Sequence, residues 1–220
     1  MRFLCLHGMG TNAEVFEMQT AALRFELGDR YKFEFVEGTV PWPAAPGIQA
    51  LFPSHTDFYA YYDSTSGPSI LSALDLLHEY IAEEGPFDGV VGFSQGAALA
   101  ATLMIRHDQL NQTVEPLFRC AIFMCGAAPC DWRGLDAGGK VRKLGVETDG
   151  KLIHVPTAHI LGANDEAVGE SHILRGLCGE RGKVVYDHGG GHEVPRAPKE
   201  VTLGMAQAVR DVIDKANFVQ

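Results

Sequence analysis

Gly92-Phe93-Ser94-Gln95-Gly96 lies between two stretches of opposite character. Before it runs Phe87-Asp88-Gly89-Val90-Val91, short and apolar enough for a buried strand. After it runs Ala97-Ala98-Leu99-Ala100-Ala101-Thr102-Leu103-Met104, with the alanine and leucine content of a helix. A strand that turns sharply into a helix around a serine is a nucleophile elbow. Glycines flank the serine because the turn is strained and the helix packs close, leaving no room for a Cβ. The five-residue pattern alone is weak; the strand before it and the helix after it give it weight.

Outward from the elbow, apolar runs of strand length alternate with longer segments of helical period. The pattern predicts strands at 3–6, 33–37, 90–92, 121–124, 158–161 and 183–186, and helices near 13–27, 69–83, 97–106, 166–178 and 199–217. Leu71, Leu74, Leu77 and Ile81 repeat at helical spacing and mark a buried stripe. Continuous apolar strands separated by helices imply a mostly parallel central sheet with helices on both faces. Together with the elbow this is an α/β class chain with the α/β-hydrolase fold. No repeat, low-complexity tract or linker divides it, so residues 1–220 read as a single domain, with functional groups gathered at the carboxyl ends of the strands.

Composition narrows the function. A chain of 220 residues can bury one substantial core. A net charge of -10 argues against a phosphate-binding surface, and so against nucleic acid as a partner. No apolar stretch approaches the ~20 residues of a membrane span. The N-terminal apolar run is too short for a signal peptide. The five cysteines are odd in number and form no Cys-x-x-Cys pair. These features point to reduced thiols and a cytoplasmic location. Asn111-Gln112-Thr113 matches a glycosylation pattern by accident in that setting.

A serine hydroxyl needs a base to take its proton, and in this fold the chain order is serine, acid, histidine. His192 stands in His188-Gly189-Gly190-Gly191-His192, after the strand at 183–186 and before the last helix. Glycines there let the imidazole swing toward Ser94. Asp165 follows the strand at 158–161 in Gly162-Ala163-Asn164-Asp165, placed to accept the other imidazole N–H and fix the tautomer. Glu166 and Asp187 are the alternative acids. His188 is read as structural. A metal held by His188 and His192 would need a helix for the i, i+4 spacing, and three intervening glycines argue against one. For the oxyanion of a tetrahedral intermediate the candidate donors are the amides of Gln95 and of Met9, the latter in Leu6-His7-Gly8-Met9-Gly10 after the first strand. His7 is expected to orient that loop. No cofactor is called for.

Two stretches break the alternation. Residues 38–67 carry four prolines with Trp42, Phe52, Phe58, Tyr59, Tyr61 and Tyr62. This loop could wall a substrate pocket, or its aromatics could pack against the sheet. Residues 126–151 hold many glycines and mixed charges.

Leu6-His7-Gly8, the run from Gly85 to Ala97 and His188-x-Gly-Gly-His192-x-x-Pro195 together resemble the FSH family of serine hydrolases nearly end to end. The resemblance implies a compact α/β-hydrolase fold and a Ser-His-Asp triad, mapping onto Ser94, His192 and Asp165. It also implies fungal relatives encoded beside polyketide synthases, some of which release a finished chain from its carrier domain. The Gly-Phe-Ser-Gln-Gly elbow with Leu-His-Gly is likewise similar to carboxylesterases and acyl-protein thioesterases.

The expectation is a hydrolase that cleaves a small-molecule acyl thioester or carboxylic ester through a Ser94 acyl-enzyme. The resemblance tilts it toward a thioester, with an acyl carrier domain as a conceivable partner, although the acidic chain offers no obvious basic dock for one. A general carboxylesterase, an acyltransferase and a non-catalytic acyl-binding protein are the rival readings.

Overall fold

The computed structural model describes all residues except 55–56, 112–114, 136–139 and 219–220. Two residues of the Asn111-Gln112-Thr113 pattern therefore lie outside the described residues, as do parts of both irregular stretches.

The chain opens with β1 (Arg2–Leu6), followed by α1 (Ala13–Gln19), α2 (Ala21–Leu27) and β2 (Lys32–Val36). Asn12 starts α1 by accepting the Val15 N–H at 2.7 Å, which satisfies one of the orphan donors of a helix N-terminus. The single helix expected over 13–27 is divided at Thr20, whose hydroxyl donates to Phe16 O at 2.9 Å. The backbone bonds Thr20 N to Phe16 O and Arg24 N to Thr20 O run on through the division, so it is a kink.

The proline-rich stretch yields β3 (Val40–Pro41), α3 (Ile48–Leu51) and β4 (Tyr59–Ala60). The alternation of the sequence did not foretell these short elements, nor α6 below. Next come α4 (Gly67–Glu84), β5 (Gly89–Phe93) and α5 (Gln95–Leu110). Ser66 caps α4, with proline in its first turn. The buried stripe of α4 is Ile70, Ala73, Leu74 and Leu77, with Leu71 and Ile81 at its partly buried margin. The remainder is β6 (Cys120–Met124), α6 (Val146–Asp149), β7 (Thr157–Leu161), α7 (Val168–Leu177), β8 (Val184–Asp187) and α8 (Lys199–Phe218).

Six strands form one sheet in the order β2-β1-β5-β6-β7-β8, and every pair in it is parallel. Successive residues alternate between its faces. Leu4, Leu6, Val90 and Phe123 pack with α4, α5 and α7. Phe3, Cys5, Val91 and Ile122 pack with α1, α2 and α8. The central strands β5, β6 and β7 are buried throughout, as a sheet covered on both faces requires. Among the described residues no helix is long and apolar enough to cross a membrane. All five cysteines are buried and free.

Candidate active site

Ser94 sits between the end of β5 and the start of α5 with φ 51° and ψ -114°, a conformation L-residues rarely adopt. Such backbone costs about 1–3 kcal/mol and persists only where the surroundings hold it. Here Ser94 N donates to Met124 O at 3.0 Å, and Ser94 O accepts from Ala127 N at 3.1 Å. The two flanking glycines serve close approach. A Cβ on Gly92 would lie 2.6 Å from Ala97 Cα, and one on Gly96 would lie 2.6 Å from His7 O. The elbow is thus wedged between its own helix and the loop after β1.

Ser94, His192 and Asp165 come together from the ends of three different strands. His192 Nε2 is 2.9 Å from Ser94 Oγ, and His192 Nδ1 is 2.7 Å from Asp165 Oδ2. The Asp165 side chain is almost wholly buried, whereas that of His192 is 38% exposed and open to a ligand. Asp165 Oδ1 accepts the Ala167 N–H at 2.7 Å, which fixes the carboxylate plane. The rival acids have other places. Glu166 is exposed. Asp187 Oδ1 accepts from Ala163 N at 3.0 Å and Gly189 N at 2.8 Å, tying the acid loop to the histidine loop. Asn164 adds a bond from Nδ2 to Gly189 O at 2.7 Å.

His188 points elsewhere: its Nδ1 accepts the Gly190 N–H at 3.1 Å, and its Nε2 lies 3.8 Å from Cys125 Sγ. Burial lowers the pKa of this imidazole. Cys125, at φ 42°, was not singled out by sequence. Its thiol lies 3.6 Å from Glu193 O and is pushed up to about 12, first by burial and then by the Asp165 charge. Among the described residues Cys125, Asp165 and His192 bring ligand-type atoms within 4.8 Å of one another. The acid and the imidazole of that group are already joined by their own hydrogen bond.

The loop after β1 is held firmly. Fully buried His7 donates from Nδ1 to Gly8 O at 2.8 Å and accepts the Gly38 N–H on Nε2 at 2.9 Å. His7 thus orients the loop, as the sequence suggested. Gly10 N is engaged by Tyr59 O at 2.8 Å. Met9 and Gln95 both border the cavity beside Ser94. Gln95 is the first residue of α5, where backbone N–H groups have no partner within the helix. Its side chain does something sequence reasoning missed: Oε1 accepts from Tyr61 N at 2.8 Å and Nε2 donates to Tyr62 O at 2.9 Å.

That bridge ties the aromatic loop to the elbow. Tyr61 and Tyr62 join the main core, Phe52 and Phe58 cover α1, and Tyr62 also reaches the cavity. Most of these aromatics thus pack on the body of the fold, and Tyr62 also borders the cavity beside Ser94. The second irregular stretch supplies Val141 and Lys143 to the same cavity, whose volume is about 210 Å³.

A family model described as serine hydrolase (FSH1) matches residues 1–203. Esterase FPY3 of Fusarium mangiferae is 51% identical over 219 residues, covering 98% of each chain. Hydrolase phiM of a fungal species is 33% identical over 88% of this chain and 86% of its own. Among solved structures, the Bacillus cereus carboxylesterase superposes with a TM-score of 0.54 at 19% identity, covering 95% of this chain and 87% of that one. RedJ, a thioesterase from the prodiginine pathway of Streptomyces coelicolor, gives a TM-score of 0.55 at 14% identity over 96% and 90%. At such identities the two structures speak for the α/β-hydrolase fold alone.

Proposed function

The chain belongs to the FSH1 serine hydrolase family, and on that premise we propose that it cleaves a small-molecule carboxylic ester through an acyl-enzyme on Ser94. The observation that carries the reading is the continuous line from Ser94 Oγ through the His192 ring to Asp165, with links of 2.9 and 2.7 Å. His192 Nε2 takes the Ser94 proton as Oγ attacks the acyl carbon. The amides of Gln95 and Met9 are the donors for the resulting oxyanion. Collapse breaks the bond to the leaving group, which receives the proton from His192. Water, deprotonated by the same nitrogen, then frees the carboxylic acid and restores Ser94. Asp165 keeps the proton of the resting ring on Nδ1 and steadies the imidazolium that forms.

The same atoms would cleave a thioester, with a thiolate leaving. The ester is placed first because the 51% identical relative is called an esterase. An acyl carrier domain enters only in the thioester version, as donor of the acyl group. Five buried, unpaired thiols support a cytoplasmic location. The test is one acyl group offered as oxygen ester and as thioester, to the native chain and to Ser94→Ala. Ser94-dependent turnover that is equal or better on the oxygen ester supports the reading. A clear preference for the thioester moves it to chain release, and turnover that survives Ser94→Ala overturns it.

A further inference from the structure

The cavity beside Ser94 has an apolar floor and a polar rim. Ile70, Ala98, Tyr62 and Ala128 form the floor, each 8% exposed or less. On the solvent side stand Lys143 and Glu170, whose Nζ and Oε1 are 2.6 Å apart, with side chains 59% and 29% exposed. The second Glu170 oxygen accepts the Ala128 N–H at 3.2 Å. Ala127, the preceding residue, donates its N–H to Ser94 O. The ion pair is therefore tied to the same strap that holds the nucleophile.

Size and chemistry then constrain the guest. An apolar cavity of about 150 Å³ accepts benzene, so about 210 Å³ leaves room for one six-membered ring and about two further heavy atoms. An extended long acyl chain would have to leave the cavity into water. None of these four floor residues carries a charge, so burying an ion there would be costly. At the rim, Lys143 can donate to an oxygen and Glu170 can accept from a hydroxyl, while the pair as a whole carries no net charge. Such a pair suits a neutral oxygen-bearing group better than an alkyl end or an ion. An acyl group covering the pair also excludes water from it, which strengthens the hydrogen bonds it makes.

Resting on the hydrolase reading above, we infer that the acyl group taken at Ser94 is compact, about one six-membered ring in size, and bears a hydroxyl or carbonyl oxygen that Lys143 and Glu170 hold.

The test is kcat/KM for a series of esters that share one leaving group. Straight chains run from acetate to dodecanoate. A matched pair, cyclohexanecarboxylate with and without a 4-hydroxyl, keeps the carbonyl reactivity nearly constant. The expected optimum lies at about six to eight acyl carbons, with dodecanoate at least about tenfold poorer. The hydroxyl should be worth about tenfold in the native chain, in line with a hydrogen bond to a charged group. That ratio should fall below about twofold in Lys143→Met and in Glu170→Gln, the latter keeping an acceptor for Ala128 N. Rates that climb through dodecanoate, or a hydroxyl ratio near one in the native chain, would overturn the inference and leave the hydrolase reading standing. An unchanged ratio in both variants would do the same. Turnover that is not abolished by Ser94→Ala would instead remove the hydrolase reading itself, and the inference with it.

Discussion

Gln95 accepts the backbone N–H of Tyr61 on its side-chain oxygen at 2.8 Å, so the residue behind the nucleophile also anchors the aromatic loop. The other half of its amide donates to Tyr62 O, next to a side chain that lines the cavity. Elbow and pocket wall are thereby one hydrogen-bonded unit.

Gln95→Ala keeps the backbone amide proposed for the oxyanion and removes only this clamp. Two buried backbone groups lose their partners, a cost of about 3 kcal/mol. Urea unfolding should show that loss, and kinetics should show acyl-size preference flattening more than turnover of the smallest ester falls. Unchanged stability would mean that the loop is held by its other contacts.

Asp165→Asn should leave the fold intact and lower kcat about ten-thousand-fold. Ala167 N already occupies one carboxylate oxygen, so the amide would turn its NH2 toward His192 Nδ1. The ring would then carry its proton on Nε2, facing Ser94, where it cannot accept another. Kinetics of the purified variant beside its circular dichroism checks this; a loss under tenfold would assign the acid elsewhere.

Arg142 pins the segment that brings Val141 and Lys143 to the cavity. It bonds Asp149 through both oxygens, at 2.8 and 2.9 Å, and Asp131 at 2.7 Å. The Arg142 guanidinium foremost, with the Gly145 N–H and the Thr148 hydroxyl, holds the Asp149 carboxyl well below the usual carboxylate range. Arg142→Ala should raise KM about three- to tenfold and change kcat less than twofold, since it loosens a wall and touches no reacting atom. A fall confined to kcat would contradict this role.

His159 makes a pH prediction that concerns stability alone. Burial, and then the charges of Lys183 and Arg175, push its imidazole down to about 3. In the unfolded chain a histidine titrates near 6.5. Below about pH 6.5 the unfolded state binds a proton that the folded state refuses, so stability drops as pH falls toward about 3, by up to about 1.4 kcal/mol per pH unit. His159→Gln should flatten that slope between about pH 6 and 4 in urea titrations, even if it lowers stability at neutral pH. An unchanged slope would place the acid sensitivity elsewhere.

Much of this was legible in the chain because it is local. Each strand of the six-stranded sheet announces itself as a short apolar run, and Ser94, Asp165 and His192 each follow one of those runs. What stayed hidden depends on partners distant in sequence. Nothing around Gln95 says that its amide meets Tyr61 and Tyr62, 34 and 33 residues away. The antiparallel pair β3–β4 is only two residues per strand, too short for any period to register. Lys143 reads as one more charge in a glycine-rich stretch until its bridge to Cys130 sets both residues beside the cavity. Thr20 kinks a helix without a glycine or proline to mark the place.

Everything in the proposed reaction depends on Ser94 forming the covalent intermediate. The most direct measurement is intact-protein and peptide mass spectrometry after treatment with a fluorophosphonate, on the native chain and on Ser94→Ala. One adduct per native chain, mapped to Ser94, is expected, and none on a folded Ser94→Ala protein that no longer turns over ester. An adduct on another residue, or an unlabelled native chain that still hydrolyses ester, would contradict it.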